Sequence, residues 1–176
     1  MITIHETAQG TAEWHEAREG KFTGSLAYKL LGSSGANEYA KATRTSFKGN
    51  YHTKRGVTLE PEAIELYEAI KGVSVARPGF VTNDRFNGCL YSPDGILEDV
   101  LIEVKCFSEL EHMKIYNGDI KLSVLAQVHF GLMICEKQLA HLVIYNPTLD
   151  PEKAFKIILI KANKNIQSNF KRILTA

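Results

Sequence analysis

The sequence predicts an α/β fold, a sheet with helices packed on its faces. Three observations carry that expectation. The chain up to Gly72 reads as helices, Val73 to Phe107 turns β-rich, and the remainder alternates helix and strand. Hydrophobic residues make up 44% of the chain and charged residues 23%, ordinary globular usage with enough apolar material for a core. A length of 176 residues suits one domain, residues 1–176.

The elements follow in order. Thr11 to Glu19 is a short helix, with Thr11 as its cap, Glu13 in the first turn and Gly20 at its end. Gly24 to Leu31 is a second helix, stopped by the loop Gly32-Ser33-Ser34-Gly35, and Asn37 to Phe47 a third. Thr58 to Gly72 carries Pro61 in its first turn beside helix-start acids. Its apolar stripe is Ile64, Tyr67 and Ile70, and Gly72 is its stop. Strands are expected over Val73–Val81, Gly88–Ser92 and Val100–Phe107, with Pro93-Asp94-Gly95 as a turn between the last two. Helices follow at Ser108–Tyr116 and Ile120–Cys135, then strands at Leu139–Tyr145 and Phe155–Lys161 and a basic terminal helix.

Charge and cysteine usage narrow the class. The net charge is +1, but its distribution is uneven. Tyr39–Leu59 holds Lys41, Arg44, Lys48, Lys54 and Arg55 with no acid, and Lys153–Ala176 holds six cations with no acid. Two basic segments on an acidic remainder suit a polyanion on one face, and equally describe solvated helix surface. Cys89, Cys106 and Cys135 are odd in number and widely spaced, which disfavours a disulfide framework, structural zinc or an iron–sulfur cluster. No apolar run approaches the roughly 18–20 residues needed to span a bilayer. Met1–Glu6 shows neither a basic leader nor a long apolar stretch, so no secretory signal is expected, and a reducing cytosol is the expected compartment.

The chemistry concentrates on Leu101–Phe107. Alternation puts Ile102, Val104 and Cys106 on one strand face and Glu103 and Lys105 on the other. A strand, turn and returning strand bring Asp94 beside Glu103, and two such carboxylates form a hard-oxygen cradle for Mg²⁺ or Mn²⁺. Lys105 is placed to orient a water or balance a phosphodiester oxyanion, and Glu60 to add a ligand. Each feature alone has a plainer reading. Glu103-x-Lys105 also describes a surface ion pair, Asp94 a turn residue and Glu60 a helix-start acid. Trp14 also suits a packing anchor, Arg18 a surface charge and Ser25 a helix-start residue. His15, His112 and His141 have no ligand spacing, and no metal role is assigned to them.

Taken in order, these residues resemble the YqaJ-type viral recombinase family, which includes phage lambda exonuclease, within the PD-(D/E)xK nuclease superfamily. Five stretches carry the resemblance: Trp14-His15 to Arg18 with Thr23-Gly24-Ser25; Gly56 with Glu60 to Ala63; Tyr91-Ser92-Pro93-Asp94-Gly95; Ile102 to Cys106; and Ala126-Gln127-Val128-His129. The chain departs from the family's Gln-x-Gln at His129, which equally suits a hydrogen-bonded helix histidine.

The resemblance implies a restriction-endonuclease-like PD-(D/E)xK core, a mixed central sheet flanked by helices. Residues 1–50 would be N-terminal helices with a 5′-phosphate pocket. Residues 51–176 would be the catalytic core and basic C-terminal helix. Asp94, Glu103, Glu60 and the Val104 backbone carbonyl correspond to metal ligands, for Mg²⁺ or alternatively Mn²⁺. Lys105 corresponds to the catalytic lysine and Gln127 to the supporting glutamine. Arg18, Ser25 and Ser92 match the residues that hold the 5′-phosphate, and Trp14 is a contact to the DNA end. The implied activity is a metal-dependent exonuclease degrading one strand of linear double-stranded DNA, 5′ to 3′ from phosphorylated ends, in phage-type recombination. The implied setting is the host cytoplasm, with a single-strand annealing protein as partner and a trimeric ring as assembly. The alternatives are an endonucleolytic or structure-specific nuclease of this core, and a non-catalytic DNA-binding module of the same fold.

Overall fold

The computed structural model describes residues 1–42 and 51–175. The expected helix Asn37–Phe47 therefore lies partly outside the described residues, as do Arg44, Lys48 and the 50/51 boundary. Within them, strand β1 (Ile2–His5) precedes helix α1 (Ala12–Arg18), strand β2 (Phe22–Thr23) and a 3-10 helix (Gly24–Leu31). Helices α2 (Gly35–Ala42) and α3 (Tyr51–Lys71) follow, then strands β3 (Phe80–Asn83), β4 (Cys89–Leu90), β5 (Gly95–Leu97) and β6 (Val100–Lys105). The chain closes with α4 (Glu109–Tyr116), α5 (Leu122–Ile134), β7 (Leu139–Tyr145), α6 (Pro151–Ala154), β8 (Phe155–Lys161) and α7 (Lys164–Leu174).

The central sheet has the order β5-β6-β7-β8 and is mixed: β6 and β7 run parallel, and the outer pairs are antiparallel. The helical α4–α5 crossover is what a parallel β6–β7 pair requires. Alternation along β6 divides the core as expected. Ile102, Val104 and Cys106 pack with Ala63, Ile64 and Tyr67 of α3 and Val143 and Tyr145 of β7. Leu101 packs on the other face with Tyr91, Ala126, Phe130 and Phe170, under α5 and α7. The three cysteines are buried.

Several boundaries differ from expectation. Gly24–Leu31 is a 3-10 rather than an α-helix, and its buried residues Gly24, Ala27 and Leu30 recur every third position, the period of that helix. Helix α3 begins at Tyr51, so Pro61 lies inside it rather than in its first turn, removing one backbone donor there. Gly72 ends it as expected, at φ +65°. The expected strand Val73–Val81 is largely irregular. Pro78 cannot donate to a ladder, Ala76 makes only an isolated bridge to Ile96, and the Val75 N–H donates to Glu68 instead (2.6 Å). Gly88–Ser92 shrinks to Cys89–Leu90. Five short elements were not expected: β1, which pairs with β3; β2, which pairs with β4; a 3-10 turn at Asp84–Phe86; β5, which starts inside the Pro93-Asp94-Gly95 turn; and α6, with Pro151 in its first turn.

Candidate active site

The β5–β6 hairpin builds the centre of the site. Its antiparallel register pairs Gly95 with Ile102, so the next pair outward is Asp94 and Glu103. Asp94 lies just beyond the ladder, and its Oδ2 accepts the Val104 N–H at 2.6 Å. A strand residue's N–H and C=O point to the same side, so the Val104 carbonyl also faces the Asp94 side, past the end of β5. Glu103 is 1% exposed. Its Oε1 accepts from Lys105 Nζ and from Gln127 Nε2, both at 2.6 Å, and its Oε2 accepts from the Tyr91 hydroxyl. Gln127 reaches it from α5, and Lys105 follows on the same strand face. The strand, the helix and the Tyr91–Asp94 connector thus converge on one buried carboxylate.

The electrostatics follow from this crowding. Burial first, then Glu103 and Glu60, hold the Asp94 carboxyl well above the usual carboxylate range, despite Lys105 and the Val104 N–H. Burial alone would lower the Lys105 ammonium. Glu103, then Asp94 and Glu60, outweigh it, and the lysine stands above its ordinary value. Burial also raises Glu60, against the pull of Arg77, whose guanidinium lies 2.6 Å from Glu60 Oε1.

Three carboxylates against Lys105 and Arg77 leave an excess of negative charge that a divalent cation would relieve. Asp94 uses one lone pair of Oδ2, and Glu103 uses three of its four acceptor positions. Oxygen positions therefore remain on both, and carboxylate and carbonyl oxygens are the donors that Mg²⁺ and Mn²⁺ prefer. Among the described residues no three His, Cys, Asp or Glu side chains close into a ready-made ligand cage. The residues present thus suit an ion held by two carboxylates and a carbonyl, with water completing its shell.

A second cluster lies one residue from Tyr91. Arg18 Nη1 donates to Ser92 Oγ at 2.8 Å, and its guanidinium stacks 4.2 Å above the Trp14 ring. Trp14 is half-buried, and its Nε1 is shared between Ser92 Oγ (3.2 Å) and Gly79 O (3.0 Å). Thr11 caps α1 through the Trp14 N–H, at 3.3 Å, as its place before the helix predicts. Burial lowers Arg18 to about 10, and among the described residues no carboxylate pairs with it. Ser25 is exposed and its hydroxyl lies 3.2 Å from Thr23 Oγ1. The structure therefore joins Arg18, Trp14 and Ser92 directly and leaves Ser25 without a bond to either Arg18 or Ser92.

His129 is buried and does not extend the Gln127 network; its Nδ1 has no partner among the described residues, and burial lowers its pKa. His112 and His141 are interior hydrogen-bonding groups, to Lys153 O and to the Tyr67 hydroxyl, both at 2.7 Å. Sequence reasoning assigned nothing to Tyr91 or Arg77. Tyr91 stood inside a quoted motif, but a strand tyrosine reads as core; Arg77 sits 17 positions from Glu60 and carried no signal.

An acid at the end of one hairpin strand, Glu-x-Lys on the other and a mixed sheet between helices define the PD-(D/E)xK fold. Solved structures share it over nearly the whole chain. The crystal structure of LHK-Exo in complex with dAMP matches with a TM-score of 0.80 at 24% identity, covering 94% of this chain and 89% of that one. The alkaline exonuclease LHK-Exo from Laribacter hongkongensis gives 0.77 at 24% identity, over 93% of this chain and 91% of that one. A phage-related exonuclease from Haemophilus somnus 129PT gives 0.68 at 14% identity, over 88% and 90%. The model of the YqaJ-like viral recombinase domain matches residues 13–138, and the chain belongs to that family. None of the curated proteins matches it.

Proposed function

We propose that the chain is a metal-dependent DNA exonuclease that degrades one strand of linear duplex DNA, 5′ to 3′ from phosphorylated ends. The observation that carries the reading is the Asp94–Glu103 carboxylate pair with Lys105 Nζ 2.6 Å from Glu103. Asp94, Glu103 and the Val104 carbonyl would hold Mg²⁺, or Mn²⁺ in its place, with Glu60 as a further ligand. Such an ion supplies Lewis-acid activation of water and charge neutralisation at the phosphodiester. Lys105 donates to the attacking water or to the developing oxyanion, its raised pKa keeping it cationic. Gln127 anchors Glu103 Oε1 from α5. Arg18 grips the terminal 5′-phosphate with Ser92, and Ser25 is the third residue of that pocket; a guanidinium with no carboxylate partner among the described residues is suited to such an anion. Trp14 holds the guanidinium's face and meets the DNA end.

At larger scale, residues 1–50 supply the phosphate pocket and 51–176 the cleaving core and a basic helix for the duplex. The family's name supports a role in phage-type recombination, with a single-strand annealing protein as partner, in the host cytoplasm. Among the described residues no helix is long and apolar enough to cross a membrane. The deciding experiment is digestion of a linear duplex with Mg²⁺, its 5′ ends phosphorylated or not, beside a covalently closed circle. Loss of the linear DNA, faster with the phosphate and absent on the circle, is the expected result. Cutting of the circle would make the enzyme an endonuclease, and cutting of neither would leave a DNA-binding module.

A further inference from the structure

We propose that Tyr91 is a positioning residue that holds Glu103 in its metal-binding orientation, in a slot that Gly24 and Gly131 open for its ring. The inference rests on the metal-site reading above and adds a residue to it. Lys105 and Gln127 both donate to Glu103 Oε1, whereas Oε2 accepts from Tyr91. With a donor on each oxygen the carboxylate plane is held at both ends, and so is the direction of the lone pair left for a cation.

The tyrosine is itself over-determined. Its backbone exchanges both hydrogen bonds with Val81, at 3.0 Å and 2.7 Å. Its side chain is 1% exposed. A Cβ on Gly24 would lie 2.6 Å from ring carbon Cε2, and one on Gly131 would lie 2.4 Å from Cζ. The 3-10 helix and α5 therefore both approach the ring closely enough that only glycine fits at either position. A phenylalanine would fill the same slot. The hydroxyl is the feature that packing does not require, and it is spent on the buried carboxylate.

The test compares wild type, Tyr91→Phe, Glu103→Met and the double variant. Mn²⁺ affinity is read by titration calorimetry and stability by thermal melting, both without DNA. Removing a group that orients a metal ligand costs about 10–100-fold in affinity. Tyr91→Phe is therefore expected to bind Mn²⁺ at least about tenfold more weakly. Its loss of Tm should shrink once Glu103→Met has removed the acceptor, because the two changes break one bond. Binding within twofold of wild type, or the same Tm loss with and without Glu103, would overturn the proposal. If folded wild type binds no Mn²⁺, the metal-site reading itself fails, and the melting cycle alone still decides whether Tyr91 acts through Glu103.

Discussion

Lys105 and Glu103 share a strand face with their charged atoms 2.6 Å apart, almost out of water. That pair is costly to bury and contributes little to stability for its cost, so its value lies in chemistry. Replacing Lys105 with Ala should lower cleavage by about 10²-fold or more, the usual effect of losing one transition-state donor, while the circular dichroism spectrum stays that of wild type. Full cleavage by the variant would reject the mechanism. Asp94 carries the opposite penalty. Its folded pKa is raised, so the folded state binds the proton more tightly than the unfolded chain does. Stability from this group is complete below the unfolded value of 3.8 and is lost as pH rises through the folded pKa. Metal-free protein should therefore melt lower as pH climbs through and above the carboxylate range, and Mg²⁺ should flatten that slope. Asp94→Asn should raise the metal-free Tm at neutral pH, by about 2–4 °C for each kcal/mol regained, while removing metal binding. At the second cluster, Arg18→Ala should erase the preference for phosphorylated ends and spare slow cleavage of other ends; an unchanged preference in the paired digestion would exclude the pocket.

At the scale of elements, the hairpin and α5 matter because they set distances that no single residue controls. The register of β5 on β6 puts Asp94 opposite Glu103, and a shift of one residue would turn every side chain of that strand to the other face. Helix α5 lies against the sheet with Gly131 on Tyr91, and a methyl there would meet the ring at 2.4 Å and Leu101 Cδ2 at 2.8 Å. Gly131→Ala is therefore expected to cost about 1–3 kcal/mol by overpacking. Because the strain falls on the helix that carries Gln127, activity should drop at temperatures where the variant is still folded. Parallel melting and cleavage curves would separate this from simple unfolding.

For the molecule as a whole, charge and assembly are the open physical terms. Helix α7 buries Phe170 and half-buries Ile166, Ile173 and Leu174, leaving Lys164, Lys171 and Arg172 exposed. Reversing those three charges should weaken duplex binding and flatten the dependence of log K on log salt. Each DNA phosphate that α7 no longer neutralises takes about 0.9 off that slope. Tighter binding, or an unaltered slope, would assign α7 to a neighbouring subunit instead. The trimeric ring that the family resemblance implies is checked by light scattering at assay concentration, where a monomer mass would reject it.

Residue types and their order already determined much of this protein. The β6 alternation and the acid at its rim were legible because a strand's period of two is local. The turn before β6 was not: Pro93-Asp94-Gly95 leads into β5, and the chain reverses at Glu98–Asp99, where Glu98 takes φ +48°. The long runs Leu122–Ile134 and Leu139–Tyr145 were legible too: burial demands a continuous apolar signal. Tertiary structure decided what depends on neighbours distant in sequence. Val73–Pro78 looked like a strand because Val73 and Val75 are apolar, yet they serve α3 and the back core rather than a ladder. Arg77 on Glu60 and Tyr91 on Glu103 each join residues whose types give no hint of one another, whereas Arg18 with Ser92 was grouped only through the family resemblance. Sequence periodicity reports which face a side chain takes. Only packing decides which other side chain is waiting there, because that depends on the register and crossing of elements far apart in the chain.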